Sequence, residues 1–220
     1  MSATLTEPNF PFKKLSLEGR AIALGITGSI SAYKAADLAS KLTQAGASVE
    51  VLMTESSTHF IAPLTFQSLT KHEVIVDILS THVAEAHVEV ARRIDAFVIA
   101  PATADCIARL AHGGGGDMVT LTALATTAPI VIAPAMDSQM WENPAVIANV
   151  EALTDRGFEI VGPAEGHLAS GRWGAGRLAE TPSIVGAVRT VLGLRQGDLR
   201  GQSVIVSAGG TQEPLDPVRY

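Results

Sequence analysis

Residues 25–34, GITGSISAYK, set two hydroxyls, Ser29 and Ser31, among small residues where an apolar run gives way to helical composition. Backbone N–H groups and the positive dipole end of a helix favour a phosphate there, and the Ser29 hydroxyl can donate to it. The stretch lacks both G-x-G-x-x-G and G-x-x-x-x-G-K, so its chemistry suits one terminal phosphate better than a pyrophosphate. A serine in that place is equally an N-cap. Thr54, Glu55 and Ser56 follow a second apolar run, and PATAD, residues 101–105, follows a third. Small residues and hydroxyls at neighbouring strand ends leave room and donors for a planar polar ring. Each is also an ordinary cap, with Thr54 and Thr103 as cap residues, and it is their convergence that favours a ligand.

Three further stretches carry reactive types. His87, in AEAHVEVARRID, is a residue type suited to moving protons near neutrality, although a lone histidine is usually a surface or satisfied core residue. Residues 130–141, IVIAPAMDSQMW, read as a buried strand followed by a loop with two methionines, an acid, an amide and a tryptophan. Such a loop is a wall for a flat ligand, or a loop packed on the core with methionine as filler. Residues 166–177, GHLASGRWGAGR, combine four glycines, Ser170, Trp173 and two arginines. That is the composition of a mobile flap whose arginines can grip an anion.

The elements that must position these residues alternate. Apolar strands are expected at 21–27, 48–53, 96–100, 130–133 and 158–161, with a short edge strand at 74–76. Pro101 and Pro134 are expected to end two of them. Helices are expected at 32–45, over most of 54–70, and at 85–93, 103–111, 117–127, 144–156 and 181–192. This order predicts right-handed βαβ crossovers and an α/β, doubly wound, Rossmann-like parallel sheet in three layers, α/β/α. In such sheets ligands lie outside the carboxyl ends of the strands. Residues 1–18 are expected to be a mobile or surface-draped extension, 19–193 the main domain, and 194–220 a linker and the start of a second domain cut short.

Bulk properties narrow the class. Of 220 residues, 47% are hydrophobic and 17% charged, so a large core is expected. The net charge is -6 with no Lys/Arg run, which argues against nucleic acid and membrane surfaces. No apolar stretch approaches the roughly 20 residues of a membrane span. One cysteine, Cys106, and six scattered histidines give no disulfide framework and no metal site. A cytoplasmic protein is the default expectation.

Taken in order, GITGSISAYKA, the histidine of HVEVARRID, APATAD, PAMDSQMW and LASGRWGAGR resemble the homo-oligomeric flavin-containing cysteine decarboxylases, in particular their phosphopantothenoylcysteine decarboxylase branch. The resemblance runs from about residue 20 to 192. The tail VIVSAGGTQEPLDPVRY looks like the start of a phosphopantothenate–cysteine ligase domain, and no ligase activity is expected of this chain. The resemblance implies a flavoprotein fold, with FMN at a subunit interface of a trimer and trimers assembling into a dodecamer. It places the FMN phosphate on Gly28, Ser29 and Ile30, with Thr54, Ser56, Ala102, Thr103, Ala104, Asp105 and Ala135 along the rest of the cofactor. The implied substrate is 4′-phosphopantothenoylcysteine, met by Asp137, Met140, Leu168, Ala169 and Arg177. Flavin would oxidise the cysteine moiety to a thioaldehyde, carbon dioxide would leave, and the enethiolate would be reduced to 4′-phosphopantetheine in coenzyme A biosynthesis. His87 would be the base, and Ser170 would stand at the proton-returning position.

Two positions depart from the family pattern. Asp137 replaces the usual asparagine, and an ionised Asp137 would repel a substrate carboxylate unless Arg92 or another cation neutralises it. Ser170 replaces the usual cysteine, and a serine hydroxyl is a far weaker acid than a thiol. That step is therefore slower here or belongs to another donor. The alternatives are a non-catalytic flavin-binding regulatory protein, a sibling peptide cysteine decarboxylase and a flavin prenyltransferase.

Overall fold

Five apolar runs pair side by side, all parallel: β1 (Ala21–Ile26), β2 (Ser48–Met53), β3 (Ala96–Ala102), β4 (Ile130–Pro134) and β5 (Glu159–Ile160), in the order β2-β1-β3-β4-β5. The computed structural model describes residues 17–76 and 85–196, with the single positions 201 and 203. The connecting helices are α1 (Lys34–Gln44), α2 (Glu55–Thr58), α3 (Pro63–Thr70), α4 (Ala86–Arg93), α5 (Ala104–His112) and α6 (Met118–Ala125). After β4 come α7 (Ser138–Trp141) and α8 (Pro144–Asp155). A hairpin of β6 (Ala164–His167) and β7 (Trp173–Arg177) leads to α9 (Thr181–Gln196).

A parallel sheet needs cover on both faces, and the alternation of strand side chains provides it. Ile22, Leu24 and Ile26 of β1 pack on one face with Leu38, Leu42, Phe66 and Val188 from α1, α3 and α9. Ala23 points the other way, into a cluster with Phe97 and Ile99 of β3 and Ile107, Met118 and Val119 of α5 and α6. The strand order reverses direction between β1 and β3. At such a switch point the loops after the two strands part in opposite directions and leave a crevice.

The expected elements form, with differences that have physical causes. β4 ends at Pro134 as expected, whereas β3 runs through Pro101 to Ala102. Proline removes only a donor, and the Pro101 carbonyl still accepts from Thr27 N–H at 3.3 Å and Thr27 Oγ1–H at 2.7 Å. The helix expected from residue 32 begins as a 3-10 turn, Ile30–Tyr33, before α1. The segment 54–70 breaks in two, with Pro63 opening α3. Of the expected edge strand only Ile75 pairs, with Leu52. The glycine-rich flap is a hairpin. α9 continues to Gln196, past the boundary expected at 193, and Leu17, inside the expected extension, is buried at 2% exposure. The rest of that extension, residues 1–16, and the ligase-like start expected beyond 203 lie outside the described residues.

Thr27 ties the reversal together. Its hydroxyl donates to Pro101 O and accepts Thr103 N–H at 3.1 Å, joining the end of β1 to the end of β3 while buried. Thr27→Val keeps the shape but leaves Thr103 N–H without its acceptor. It should lower stability by about 1–3 kcal/mol, read as a denaturant midpoint at fixed protein concentration.

Candidate functional site

Two cavities open at the carboxyl ends of the strands, one on each side of the Gly28–Ser29 turn. The first, about 470 Å³, is lined by Gly28, Thr54, Ser56, Thr103, Ala104 and Asp105, and Met140 closes it from α7. Gly28 lies against α2 so closely that an added Cβ would sit 2.4 Å from Ser56 Oγ. Thr54 Oγ1 and Ser56 Oγ share a hydrogen bond of 3.0 Å. Thr103 caps α5 by accepting Cys106 N–H at 3.3 Å. Ser29 caps the 3-10 turn by accepting Ser31 N–H at 3.2 Å, so both the capping role and a remaining O–H donor are realised. The backbone N–H groups of Gly28 and Ile30 donate to nothing among the described residues. Two unused amides and a hydroxyl at one turn are an anion's donor set.

Charge in this first cavity is mostly acidic: Glu55, Asp105 and Asp117 line it, with Arg109 bonded to Asp105 at 2.8 Å. Cys106 also lines it but is no nucleophile. Burial first, and then Asp117 and Asp105, push its thiol well above the ordinary range, and the thiolate is the reactive form.

The second cavity, about 570 Å³, is lined by Ser29, Ile30, Asp137, Leu168, Ala169 and Ser170. Lys34 and Arg177 bring positive charge to it, Arg177 partly engaged by Glu180 at 3.1 Å. The hairpin is seated on the loop after β4 at two points. At its base Gly176 O accepts Met136 N–H at 3.0 Å, and an added Cβ on Gly176 would lie 2.2 Å from Met136 O, so only glycine fits. At its tip Ser170 Oγ donates to Asp137 Oδ2 at 2.6 Å. Asp137 also caps α7 by accepting Gln139 N–H at 3.1 Å. The Ser170 hydrogen bond, with that N–H and the charge of Arg172, holds the Asp137 carboxyl below its ordinary value. Asp137 is therefore ionised at neutral pH, and of the two options, Arg92 or another cation, it is another, Arg172, whose charge acts on it.

Most of the expected site residues are thus brought together, but not all. Met140, expected at the substrate, lines the first cavity and not the second. Ala102 and Ala135 line neither: both are buried, and Ala135 N–H donates to Ala102 O at 3.0 Å, so they contribute backbone that joins β3 to the loop after β4. His87 lies on α4, away from both cavities, with its Nδ1 buried and unpartnered among the described residues. Residues that the sequence left unmarked are Thr27, Lys34 and His167. Lys34 and His167 stand inside motifs already singled out, and their titratable types were the available signal. Thr27 sits at the end of a strand run, where nothing local distinguishes it. Among the described residues no cluster of His, Cys, Asp or Glu could hold a metal ion, and no helix is long and apolar enough to cross a membrane.

A family model described as Flavoprotein matches residues 13–193. The chain is 44% identical over 207 residues to the coenzyme A biosynthesis bifunctional protein CoaBC of Bacillus subtilis, covering 93% of this chain and 51% of that protein. It spans about half the length of the curated relatives it matches. Among solved structures it is similar to a PPC decarboxylase, a cysteine-to-serine mutant complexed with pantothenoylaminoethenethiol, at 30% identity and a TM-score of 0.70. That match covers 78% of this chain and 97% of the other. The FMN-dependent cysteine decarboxylase SpaF is 31% identical with a TM-score of 0.70, over 80% and 97% of the two chains.

The tip contact should respond to acid. Asp137's folded value is lowered, so the Ser170–Asp137 link is fully present above the ordinary 3.8 and is lost as pH falls through the lower folded value. Pepsin should cut residues 168–172 of Ser170→Ala faster than those of the wild type near pH 4–5, and the two rates should converge as the acid is strengthened.

Proposed function

The chain belongs to the Flavoprotein family, and from that we propose that it is an FMN-dependent decarboxylase that converts 4′-phosphopantothenoylcysteine to 4′-phosphopantetheine in coenzyme A biosynthesis. One observation carries the cofactor: two unused backbone N–H groups and the Ser29 hydroxyl converge at the end of β1, beside a cavity whose wall includes the small residues Gly28, Thr54, Ser56, Thr103 and Ala104. Gly28, Ser29 and Ile30 would hold the phosphate, and Thr54, Ser56, Thr103, Ala104 and Asp105 would face the rest, with Ala102 and Ala135 fixing the strand ends behind them. When bound, FMN supplies the reversible oxidation that makes the cysteine carboxylate labile.

The second cavity suits the substrate. Lys34 and Arg177 offer charge to its anionic groups, which answers the repulsion expected from an ionised Asp137. Leu168 and Ala169 cover it from the hairpin, and Met140 reaches the border between substrate and cofactor. Because His87 lines neither cavity within one chain, its role as a base depends on assembly. We place it in a neighbouring copy's site, within a homotrimer that assembles further into a dodecamer in the cytoplasm. An unpartnered buried Nδ1 suits a histidine whose partner arrives with another subunit or a ligand.

The test joins colour to gas release. The wild type should be purified yellow and release carbon dioxide from 4′-phosphopantothenoylcysteine. Gly28→Ala, which drives a Cβ into Ser56, should be folded but colourless. His87→Asn should stay yellow and lose release by on the order of a hundredfold or more. A yellow protein that never releases carbon dioxide would instead support a flavin-binding regulator, the reading that the loss of the flap thiol favours.

A further inference from the structure

We propose that His167 is a further catalytic residue of this site, the acid that delivers a proton to the carbon left electron-rich when carbon dioxide departs; this rests on the decarboxylation proposed above. The hairpin supplies the reasons. Ser170 stands at its tip, and its hydroxyl donates to Asp137 Oδ2 at 2.6 Å. The other carboxylate oxygen accepts Gln139 N–H at 3.1 Å. Serine is a poor acid to begin with, and here its one proton is held by a carboxylate that stays ionised at neutral pH. Neither partner has a proton to give.

His167 lies three residues earlier on the same hairpin and lines the same 570 Å³ cavity as Ser170 and Asp137. Of the described histidines, at positions 59, 72, 87, 112 and 167, it alone lines either cavity. His72 has its Nδ1 bonded to Val49 O at 3.0 Å, and His87 lies on α4. The edge of one ring meets the face of the other between His167 and Trp173, with centroids 4.8 Å apart and planes at 89°. That contact, across the paired ends of β6 and β7, restrains the imidazole, and among the described residues its nitrogens take no hydrogen-bond partner. Lys34, Arg177 and Asp137 are the charged groups that line the cavity beside it. Imidazole is the side-chain type built for proton delivery near neutrality.

The step balances without another reagent. Loss of carbon dioxide leaves an electron pair shared between the carbon that bore the carboxylate and the thiocarbonyl sulfur. An imidazolium N–H bond breaks, that pair forms the new C–H bond, and neutral imidazole remains. Because His167 is exposed, solvent restores its proton.

The experiment uses flavin-loaded protein and 4′-phosphopantothenoylcysteine, measuring carbon dioxide and 4′-phosphopantetheine separately. The wild type should make them one to one. His167→Gln should release carbon dioxide in the first turnover but form phosphopantetheine on the order of a hundredfold more slowly, with the unprotonated enethiol detected by mass spectrometry. Adding Ser170→Cys to His167→Gln should restore most of the lost rate, because it returns a thiol acid to the hairpin. Independently of turnover, an enethiol analogue should shift the His167 ring resonance in the wild-type NMR spectrum. Equal product ratios and rates in wild type and His167→Gln, or a His167 resonance indifferent to the analogue, would overturn the proposal. A wild type that releases no carbon dioxide would sink the decarboxylase reading itself, a separate result.

Discussion

The Thr27 hydroxyl, placed between the ends of β1 and β3, is the contact on which the architecture of the site depends. A parallel sheet that reverses its strand order must open at the reversal, since the loops on either side leave in opposite directions. Something has to hold the two strand ends in register while their loops diverge. One buried hydroxyl does so with a bond in each direction, to Pro101 O and from Thr103 N–H. The phosphate-type turn follows Thr27 directly, and the PATAD cap that faces it begins at Pro101. Both sides of the first cavity are therefore positioned from one side chain.

The second cavity is built differently, by seating a hairpin on a loop. Gly174 and Gly176 let β7 approach the Ser138 side chain and the Met136 carbonyl more closely than any side chain would allow, and the tip is drawn down by the Ser170–Asp137 hydrogen bond. Its charges separate into roles. Asp137 is occupied in holding the tip and capping α7, Arg177 is shared with Glu180, and Lys34 has no ion-pair partner among the described residues. The two departures from the family pattern, at 137 and 170, are thus one interaction. Each change looks unfavourable alone, because one adds a charge and the other removes an acid. Together they exchange a thiol for a fixed link.

Much of this was legible in the sequence. The buried runs and their punctuation located the five strands, because period and composition are local properties of the chain. Thr103 was readable as a cap for the same reason and accepts Cys106 N–H, whereas the Thr54 side chain makes no capping bond. The strand end at Pro101 was misplaced, while that at Pro134 held, because a proline's missing donor is visible in sequence whereas the partner of its carbonyl is not. His87 shows the limit most clearly: its motif named it, but one chain leaves it away from the cavities.

By itself, the order of residues determined the alternation of strands and helices, the doubly wound class, the turn with spare donors after β1 and the family resemblance. Tertiary structure alone decided that Asp137 and Ser170 touch, that Asp137 is ionised, that His167 shares their cavity, and that Thr27 joins two strands 74 residues apart through Pro101. The physical reason is range. Helix, strand and cap preferences act over a few neighbouring residues, while a proton's position and a cavity's lining depend on groups that only packing brings within hydrogen-bond distance.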